Sequence, residues 1–250
     1  GQQVRKGHDF AMAEGPVLVD PSADDNEPGL ATRGRVLGGG MALKARPLGL
    51  IIANPHQSAR ISQAVAKSIH RRSPHHNDGR KQGVATAKTE EFIDLRVHPR
   101  YKDNITRYVR VVRSIALRQG TGDQQSRMTL LESQLADPLT AATAALRLEA
   151  LGDERAVEVL KEGCGDRDPE VRFYSAEALA YLDDTEAVEP LAQAARSEPA
   201  FRVNALAALS AMDDVVAYDA LRELLAVSSA ETRYGAFRAL WAMNDRDALI

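Results

Sequence analysis

Six histidines are the side chains of this sequence best suited to binding a metal ion, and all lie in its first half. They are His8, His56, His70, His75, His76 and His98. His70, the pair His75-His76 and Asp78 are near enough in sequence to be considered as ligands, because Zn²⁺ binds such nitrogen and oxygen donors. Their spacing fits no standard metal site, and the stretch has the composition of a polar loop. We therefore expect no metal site there.

The other residue types that carry chemistry also lack the pattern that a reaction requires. Gly38-Gly39-Gly40 is not followed by the Gly-Lys-Ser/Thr of a phosphate loop, so a tight turn or a close backbone approach is expected. No serine occupies a nucleophile elbow, and no pair of carboxylates stands out. The single cysteine, Cys164, excludes an intramolecular disulfide and is expected to be a small buried thiol. We expect no active site, no cofactor and no enzymatic activity.

Charge is divided unevenly along the chain, whose formal net charge is −3. Residues 1–118 contain 20 Lys and Arg against 11 Asp and Glu, a net +9, and residues 119–250 contain 12 against 24, a net −12. Two modules with different surfaces are therefore expected. The basic side chains include Arg71, Arg72, Arg80, Lys81, Arg107, Arg110 and Arg113. Few aromatic residues lie among them, and Phe92 and Tyr108 are expected in the core. An acidic protein surface, such as that of a neighbouring copy, is therefore a better partner than nucleic acid.

A repeat of about 30 residues organises the second half of the chain. Its units start at Asp137-Pro138, Asp168-Pro169, Glu198-Pro199 and Ala230. Later positions keep the same register, namely Leu148, Leu179, Leu209 and Leu240, then Leu151, Leu182, Met212 and Met243, then Asp153, Asp184, Asp214 and Asp245, then Ala156, Ala187, Ala217 and Ala248, and finally Leu160, Leu191 and Leu221. A register kept over three periods predicts one supersecondary unit per repeat.

Each unit has the sequence of two helices joined by a short turn. Asp168 can cap a helix, and Pro169 suits the first helical turn. Apolar residues then recur at helical spacing as far as Leu182, after which Asp183-Asp184 end this helix and cap the next. Neither helix can bury its apolar stripe alone, so neighbouring units are expected to stack.

The pattern resembles the short form of the HEAT repeat family over residues 137–250, or about 3.5 units. The resemblance implies an all-α solenoid that binds other macromolecules through a concave or edge surface. Three arginines, Arg172, Arg202 and Arg233, share one register position. They could form a ladder that reads a ligand, or each could pair with a neighbouring Asp to hold the stack in register. Trp241 is interpreted as a packing residue, although an exposed tryptophan would be a hot spot for a partner.

The first 118 residues have the pattern of a small α+β module. Strands are expected at residues 10–19, with a bend or bulge at Gly15-Pro16, and at residues 48–52, where both faces are apolar and burial on both sides is expected. Residues 20–33 are expected to form an exposed loop. A helix is expected to start at Asn54, with Asn54 as its cap and Gln57 completing a capping box, and to end near Arg72.

Two further strands, at residues 83–89 and 91–98, and a last helix at residues 103–117 complete the order β-α-β-β-α from residue 48 onward. Helical spacing predicts that the last helix buries Ile105, Tyr108, Val109, Val112 and Ile115. Arg107, Arg110 and Arg113 would then lie on its opposite, exposed face as a basic interaction surface. We expect an α+β domain at residues 1–118, a linker or first helix at 119–136, and a solenoid at 137–250.

Several blocks of residues 9–118 also resemble the flagellar basal-body P-ring protein family. Ala11-Met12-Ala13-Glu14-Gly15 matches a strand of that family, Ile69-His70-Arg71-Arg72 matches the end of a helix, and Leu95-Arg96-Val97-His98-Pro99 matches a later strand. The resemblance implies a structural protein of the periplasm that packs side by side into a ring and has no catalytic residues. That family has no HEAT repeats, so residues 137–250 replace its usual carboxy-terminal part.

The expected function is that of a non-enzymatic assembly protein of the bacterial cell envelope, whose HEAT repeats bind a protein partner. One alternative is a HEAT adaptor that forms no flagellar rings. Another is an enzyme, because short HEAT repeats also resemble those of bilin lyases, which attach chromophores. No apolar run approaches the roughly 18 residues that a membrane-spanning helix needs. Because the chain starts at Gly1 and stops within a repeat unit, we expect an internal fragment of a longer protein.

Overall fold

The computed structural model describes residues 9–19, 34–36, 39–44, 47–73, 75–77, 80–117 and 121–244. The chain forms two compact units, Gly1–Pro47 and Leu48–Ile250. The expected boundary at residue 118 lies inside the second unit. Some expectations concern residues outside the described ones, including the loop at 20–33, the metal ligand Asp78, and the register residues Asp245 and Ala248. The side chains of His75, His76, Arg80 and Lys81 are likewise outside the described part.

The first unit contains two antiparallel strand pairs. Its strands are β1 (Ala11–Ala13), β2 (Val17–Val19), β3 (Gly34–Val36) and β4 (Gly40–Ala42). β1 pairs with β4, and β2 pairs with β3. Gly15 has φ +139° between β1 and β2, which confirms the bend that was expected there. Gly39 has φ +69° and donates its N–H to the carbonyl of Val36 at 2.9 Å, which is the tight turn anticipated for the glycine run.

The second unit begins with a small sheet and a helical cover. Its strands are β5 (Leu48–Ile51), β6 (His75–Asn77), β7 (Arg80–Gln82), β8 (Ala85–Ala87) and β9 (Phe92–Leu95), and β6 and β7 form a hairpin that the sequence did not predict. An antiparallel sheet has the order β5-β9-β8. Ile93 and Leu95 point into the core, whereas Ile51 is 79% exposed. The prediction that β5 is buried on both faces was therefore wrong, because only one face of this sheet is covered.

Helix α1 (Ala59–Arg72) covers that face, but it starts later than expected. Asn54 to His56 form a separate 3-10 turn, and Ser58 is the cap, accepting the N–H of Ile61 at 3.2 Å. Gln57 does not complete a capping box, because its amide donates back to the carbonyl of Ile52 at 3.0 Å. Ala66 and Ile69 lie buried on its inner side.

Helix α2 (Ile105–Ser114) follows a 3-10 turn at Pro99–Tyr101 and is capped by Asn104. Tyr108 and Val112 are buried as expected, but Ile105 is exposed and Val109 is only partly buried. Arg107, expected on the exposed face, is only 6% exposed. These corrections have one cause. The helix packs against α4 and the preceding 3-10 turn, and its buried face is turned to include Arg107 and Val111 beside Tyr108 and Val112.

Eight helices complete the described part of the second unit. They are α3 (Thr121–Leu135), α4 (Pro138–Leu151), α5 (Glu154–Cys164), α6 (Pro169–Tyr181), α7 (Val188–Ser197), α8 (Arg202–Ala211), α9 (Val215–Leu224) and α10 (Ala230–Met243). Side chains of Asp137, Asp153, Asp168 and Asp214 cap α4, α5, α6 and α9. The third unit differs from its sequence pattern, because Glu198-Pro199 belong to a turn and α8 begins at Arg202 without a side-chain cap.

The positions that recur in the sequence repeat are the positions that form the core. The leucines at its main position, its second-helix leucines and its alanines are all fully buried within the described residues: Leu148, Leu179, Leu209, Leu240, Leu160, Leu191, Leu221, Ala156, Ala187 and Ala217. The first helices of successive units contact each other, since α4 contacts α6 and α6 contacts α8. Stacked helical hairpins with one continuous core are thereby confirmed. No helix among the described residues is long and apolar enough to cross a membrane.

Candidate protein-interaction surface

The first helices of the repeats, α4, α6, α8 and α10, present one side to the segment 98–114. We call this side the front face and define it by Glu149 on α4 and Tyr181 on α6. The 3-10 turn and α2 cover the front face over α4 and α6, so that Glu149 and Tyr181 are almost fully buried. The contacts that hold this cover in place determine what remains available to a partner.

A buried ion cluster joins α2 to α4 and α6. The guanidinium of Arg107 donates to Glu149 Oε2 at 2.6 Å and pairs with Glu177 Oε2 at 2.5 Å. The hydroxyl of Tyr101 donates to the second oxygen of Glu149 at 2.6 Å. The guanidinium also lies 4.6 Å from the ring centroid of Tyr181. We call these five residues the Arg107 cluster. Each charge in it has a partner of opposite sign, which burial requires.

Aromatic and polar contacts extend the attachment along the segment. The rings of Tyr101 and Tyr181 stack with centroids 4.8 Å apart and planes 12° apart. Asn104 donates its side-chain amide to the hydroxyl of Tyr181 at 3.2 Å, and Arg100 pairs with Asp183 at 2.7 Å. Residues 100–107 are therefore fixed on the solenoid by several directional contacts, in addition to apolar packing.

Burial governs the ionisation of the Arg107 cluster. Burial by itself would lower the pKa of Arg107, but the nearby Glu149 and Glu177 carboxylates raise it above its ordinary value. Burial raises the pKa of Glu177, and Arg107 offsets only part of this effect. Burial also raises the pKa of Tyr181 to about 12. Arg107 therefore stays charged, and both tyrosines of the cluster stay protonated at neutral pH.

The raised pKa of Glu177 predicts how stability varies with pH. A carboxyl group with a higher pKa in the folded than in the unfolded chain stabilises the fold below its unfolded value, and this contribution is lost as pH rises through the folded value. We therefore expect the free energy of unfolding of the wild type, relative to Glu177→Gln, to fall as pH rises from about 4 to about 7. Urea titrations of both proteins across this range would measure it. A difference that rises with pH would contradict the expectation.

The proposed basic surface on α2 is divided by the structure. Arg107 faces inward and is part of the cluster, so its assignment to an exposed interaction surface was wrong. Arg110 and Arg113 are exposed, as the helical spacing predicted. No member of the cluster apart from Arg107 was singled out from the sequence. One signal was present, since Glu149 occupies the register position that is Ala180 in the next repeat.

The arginines at the shared register position contact main-chain carbonyls of the chain itself. Arg172 donates to the carbonyls of Asp166 and Arg167, at 2.8 and 2.7 Å. Arg233 donates in the same way to two carbonyls just before α10, and Arg202 donates to the carbonyl of Ala195 at 3.2 Å and to the carboxylate of Glu231. The prediction that each arginine pairs with a neighbouring Asp side chain was therefore wrong. The arginines satisfy carbonyls where a second helix ends and the next unit begins.

The front face is open where the cover ends. A groove of about 320 Å³ lies between the segment 98–104 and helices α8 and α10. Small side chains form its floor, and longer polar side chains form one wall. Its lining includes His98, Arg100, Lys102, Asn104, Ala207, Ser210, Ala211, Met212 and Met243. Lys102 bridges one end by donating to the carbonyl of Ala242 at 2.9 Å. We call this space the front groove.

Two further candidate residues are placed clearly. Trp241, interpreted as a packing residue, is 51% exposed and lies 6.1 Å from the ring of Phe237. Cys164 is partly buried, and burial raises its pKa to about 12, so the thiol stays protonated near neutral pH. Within the described part of the chain, no group of three or more His, Cys, Asp and Glu side chains could hold a metal ion.

Comparison with known proteins supports the repeat architecture. Residues 163–241 match the HEAT repeats family. The matched segment includes α6 to α9 and nearly all of α10. The match does not extend to residues 9–118, where the resemblance to the P-ring family was found. No curated protein matches this chain.

Proposed function

We propose that this chain is a non-enzymatic scaffold that binds a protein partner in the front groove. The observation that carries the proposal is the contrast along the front face, which is covered over α4 and α6 and open over α8. The HEAT match supports a role in protein–protein interaction, since solenoids of this kind offer extended surfaces to partners.

The groove has the composition of a protein-binding site. Ala207, Ser210 and Ala211 on its floor let a partner main chain approach closely, and Met243 can adapt to apolar side chains of different shapes. Charged groups of both signs surround it, with Lys102 on one side and Asp213 on another. A short protein segment carrying one or two apolar side chains is the occupant that fits this arrangement.

Photo-crosslinking in cells would test this proposal. A benzoylphenylalanine at position 211, on the groove floor, is expected to give one dominant adduct with a partner protein. Ala207→Glu in the same chain should reduce that adduct about tenfold or more, because it places a charge in the groove. The matched control carries the crosslinker at Glu158, an exposed residue of α5. Equal adducts at both positions, or an adduct unaffected by Ala207→Glu, would contradict binding in the groove.

In its finer form, the proposal places the chain in the bacterial cell envelope as a P-ring-like assembly protein. The resemblance of residues 9–118 supports this form, as does the attraction expected between a region of net +9 and a region of net −12. Light scattering during size exclusion separates it from the adaptor alternative. Discrete large species that dissociate as salt is raised would support ring assembly. Species no larger than a dimer at low salt would favour an adaptor that forms no rings.

A further inference from the structure

The carboxyl ends of the first helices bind basic side chains of the chain itself. Arg72 donates from Nε to the carbonyl of Glu149 near the end of α4, at 2.6 Å. Lys102 donates to the carbonyl of Ala242 near the end of α10, at 2.9 Å. The last carbonyls of a helix have no partner within the helix and form the negative end of its dipole. A basic side chain is therefore a favourable partner for these ends.

The end of α6 shows the most complete form of this arrangement. The guanidinium of Arg100 lies 3.5 Å from the carbonyl oxygen of Tyr181 and 2.7 Å from the carboxylate of Asp183. Arg100 thus contacts both a terminal carbonyl and a carboxylate that follows the helix. Counted from the core leucine of each unit, Tyr181 has the same position as Ala242, so one register position accepts a basic side chain in two units.

The end of α8 carries the same two groups. Ala211 has the register position of Tyr181, and Asp213 has that of Asp183. Within the described part of the chain, the Ala211 carbonyl accepts no hydrogen bond and the Asp213 carboxylate forms no ion pair. Both residues line the front groove. Because α9 and α10 follow α8, this helix end does not depend on where the described residues stop.

Charge in the groove also favours a basic partner. Arg100 is paired with Asp183, and Lys102 lies 4.0 Å from the carboxylate of Asp103. Among the described lining residues, this leaves the charge of Asp213 without a partner of opposite sign. The turns after α6 and α8 differ in backbone, since Asp183 has φ +69° and Asp213 has no positive φ. The assignment of Asp213 therefore rests on its place in the groove as well as on register.

We propose that the partner segment in the front groove inserts a basic side chain at the end of α8, where it donates to the Ala211 carbonyl and pairs with Asp213. The inference rests on the proposed function and specifies the chemistry of its partner. Arginine fits best, because its planar guanidinium can reach a carbonyl and a carboxylate together, as Arg100 does on α6. Apolar side chains of the same segment would lie one turn back along the floor, over Ala207.

Peptide display on the chain of 250 residues tests the chemistry of the occupant. The probe is a library of seven random residues, and groove ligands are defined as the clones that lose binding to Ser210→Trp. This substitution fills the groove floor without adding a charge, and α10 already carries a tryptophan, Trp241, at the same register position. We expect the groove ligands to carry an arginine or a lysine together with an apolar residue.

Fluorescence anisotropy with one such synthetic peptide measures the contact itself. We expect Asp213→Asn to weaken binding about tenfold, and a glutamine in place of the basic residue of the peptide to weaken it by a similar factor. The two changes together should cost little more than either alone, because they remove the same contact. Asp219→Asn, at an exposed acid of α9 outside the groove lining, is the matched control and should bind as the wild type does.

The outcomes separate this inference from the proposed function. Groove ligands without a basic residue, or equal binding by the wild type and Asp213→Asn, would overturn the inference and leave the groove as a protein-binding site. Additive losses in the double change would overturn it as well. If no clone were sensitive to Ser210→Trp, binding in the groove would itself be contradicted, and the inference with it.

Discussion

Glu149→Ala is expected to lower the free energy of unfolding by about 3–5 kcal/mol, which is a large part of the stability of an ordinary domain. Glu149 is fully buried, and its two oxygens accept from Arg107 and Tyr101. Truncation leaves a buried guanidinium with Glu177 as its remaining carboxylate and a buried hydroxyl without its acceptor. The measurement is urea unfolding followed by circular dichroism at neutral pH.

A double-mutant cycle separates the ion pair from the cavity. Arg107→Ala combined with Glu149→Ala should cost clearly less than the sum of the two single variants, because no charge of the pair is then left uncompensated. Glu158→Ala, on the exposed side of α5, serves as the surface control and should change stability by no more than about 0.5 kcal/mol. If the two single variants were additive, Arg107 and Glu149 would not be coupled in the folded protein.

Phe173→Ala is expected to cost about 3–5 kcal/mol, the usual range for removing a fully buried phenylalanine. Its ring is 1% exposed and stacks on Phe201 with centroids 4.4 Å apart and planes 5° apart. The pair joins α6 to the turn that precedes α8, so the substitution opens a cavity between two repeats. Urea unfolding of the variant, with the slope checked for two-state behaviour, would give the loss.

The repeat itself supplies the control for that prediction. Tyr234 stands in α10 at the register position that Phe173 has in α6, but it is 60% exposed. Tyr234→Ala should therefore change the free energy of unfolding by no more than about 0.5 kcal/mol. A large loss at Tyr234, or a small loss at Phe173, would contradict the expectation that burial determines the effect.

The repeated half of the fold could be predicted because its signals are local and are repeated. Leu148, Leu179 and Leu209 sit at the same place in successive units, so each unit tests the interpretation of the others. The prediction failed where a unit departs from the pattern. Glu198-Pro199 has the composition of a helix start, yet the chain makes a turn there and α8 begins three residues later. Phe201, in that turn, stacks on Phe173 in the preceding unit.

The candidate site was harder to predict because its contacts are distant in sequence. Arg107 lies 42 residues from Glu149, and nothing near either residue indicates the other. Helical spacing assigns the buried face of α2 from its apolar residues, whereas packing against α4 turns that face to include Arg107. The exposed positions Arg110 and Arg113 follow from spacing alone. Local patterns thus predict the helices and strands. Contacts between segments that are distant in sequence decide which polar residues are buried between those helices.

The cover over α4 and α6 also has a mechanical consequence. A solenoid bends through small adjustments at each contact between neighbouring helices, because each unit touches only the units next to it. The Arg107 cluster ties α4 and α6 to α2, whereas the described residues show no such clamp over α8. Stiffness therefore decreases along the stack. Elastic deformation under load would concentrate beyond the clamped helices, where the front groove lies.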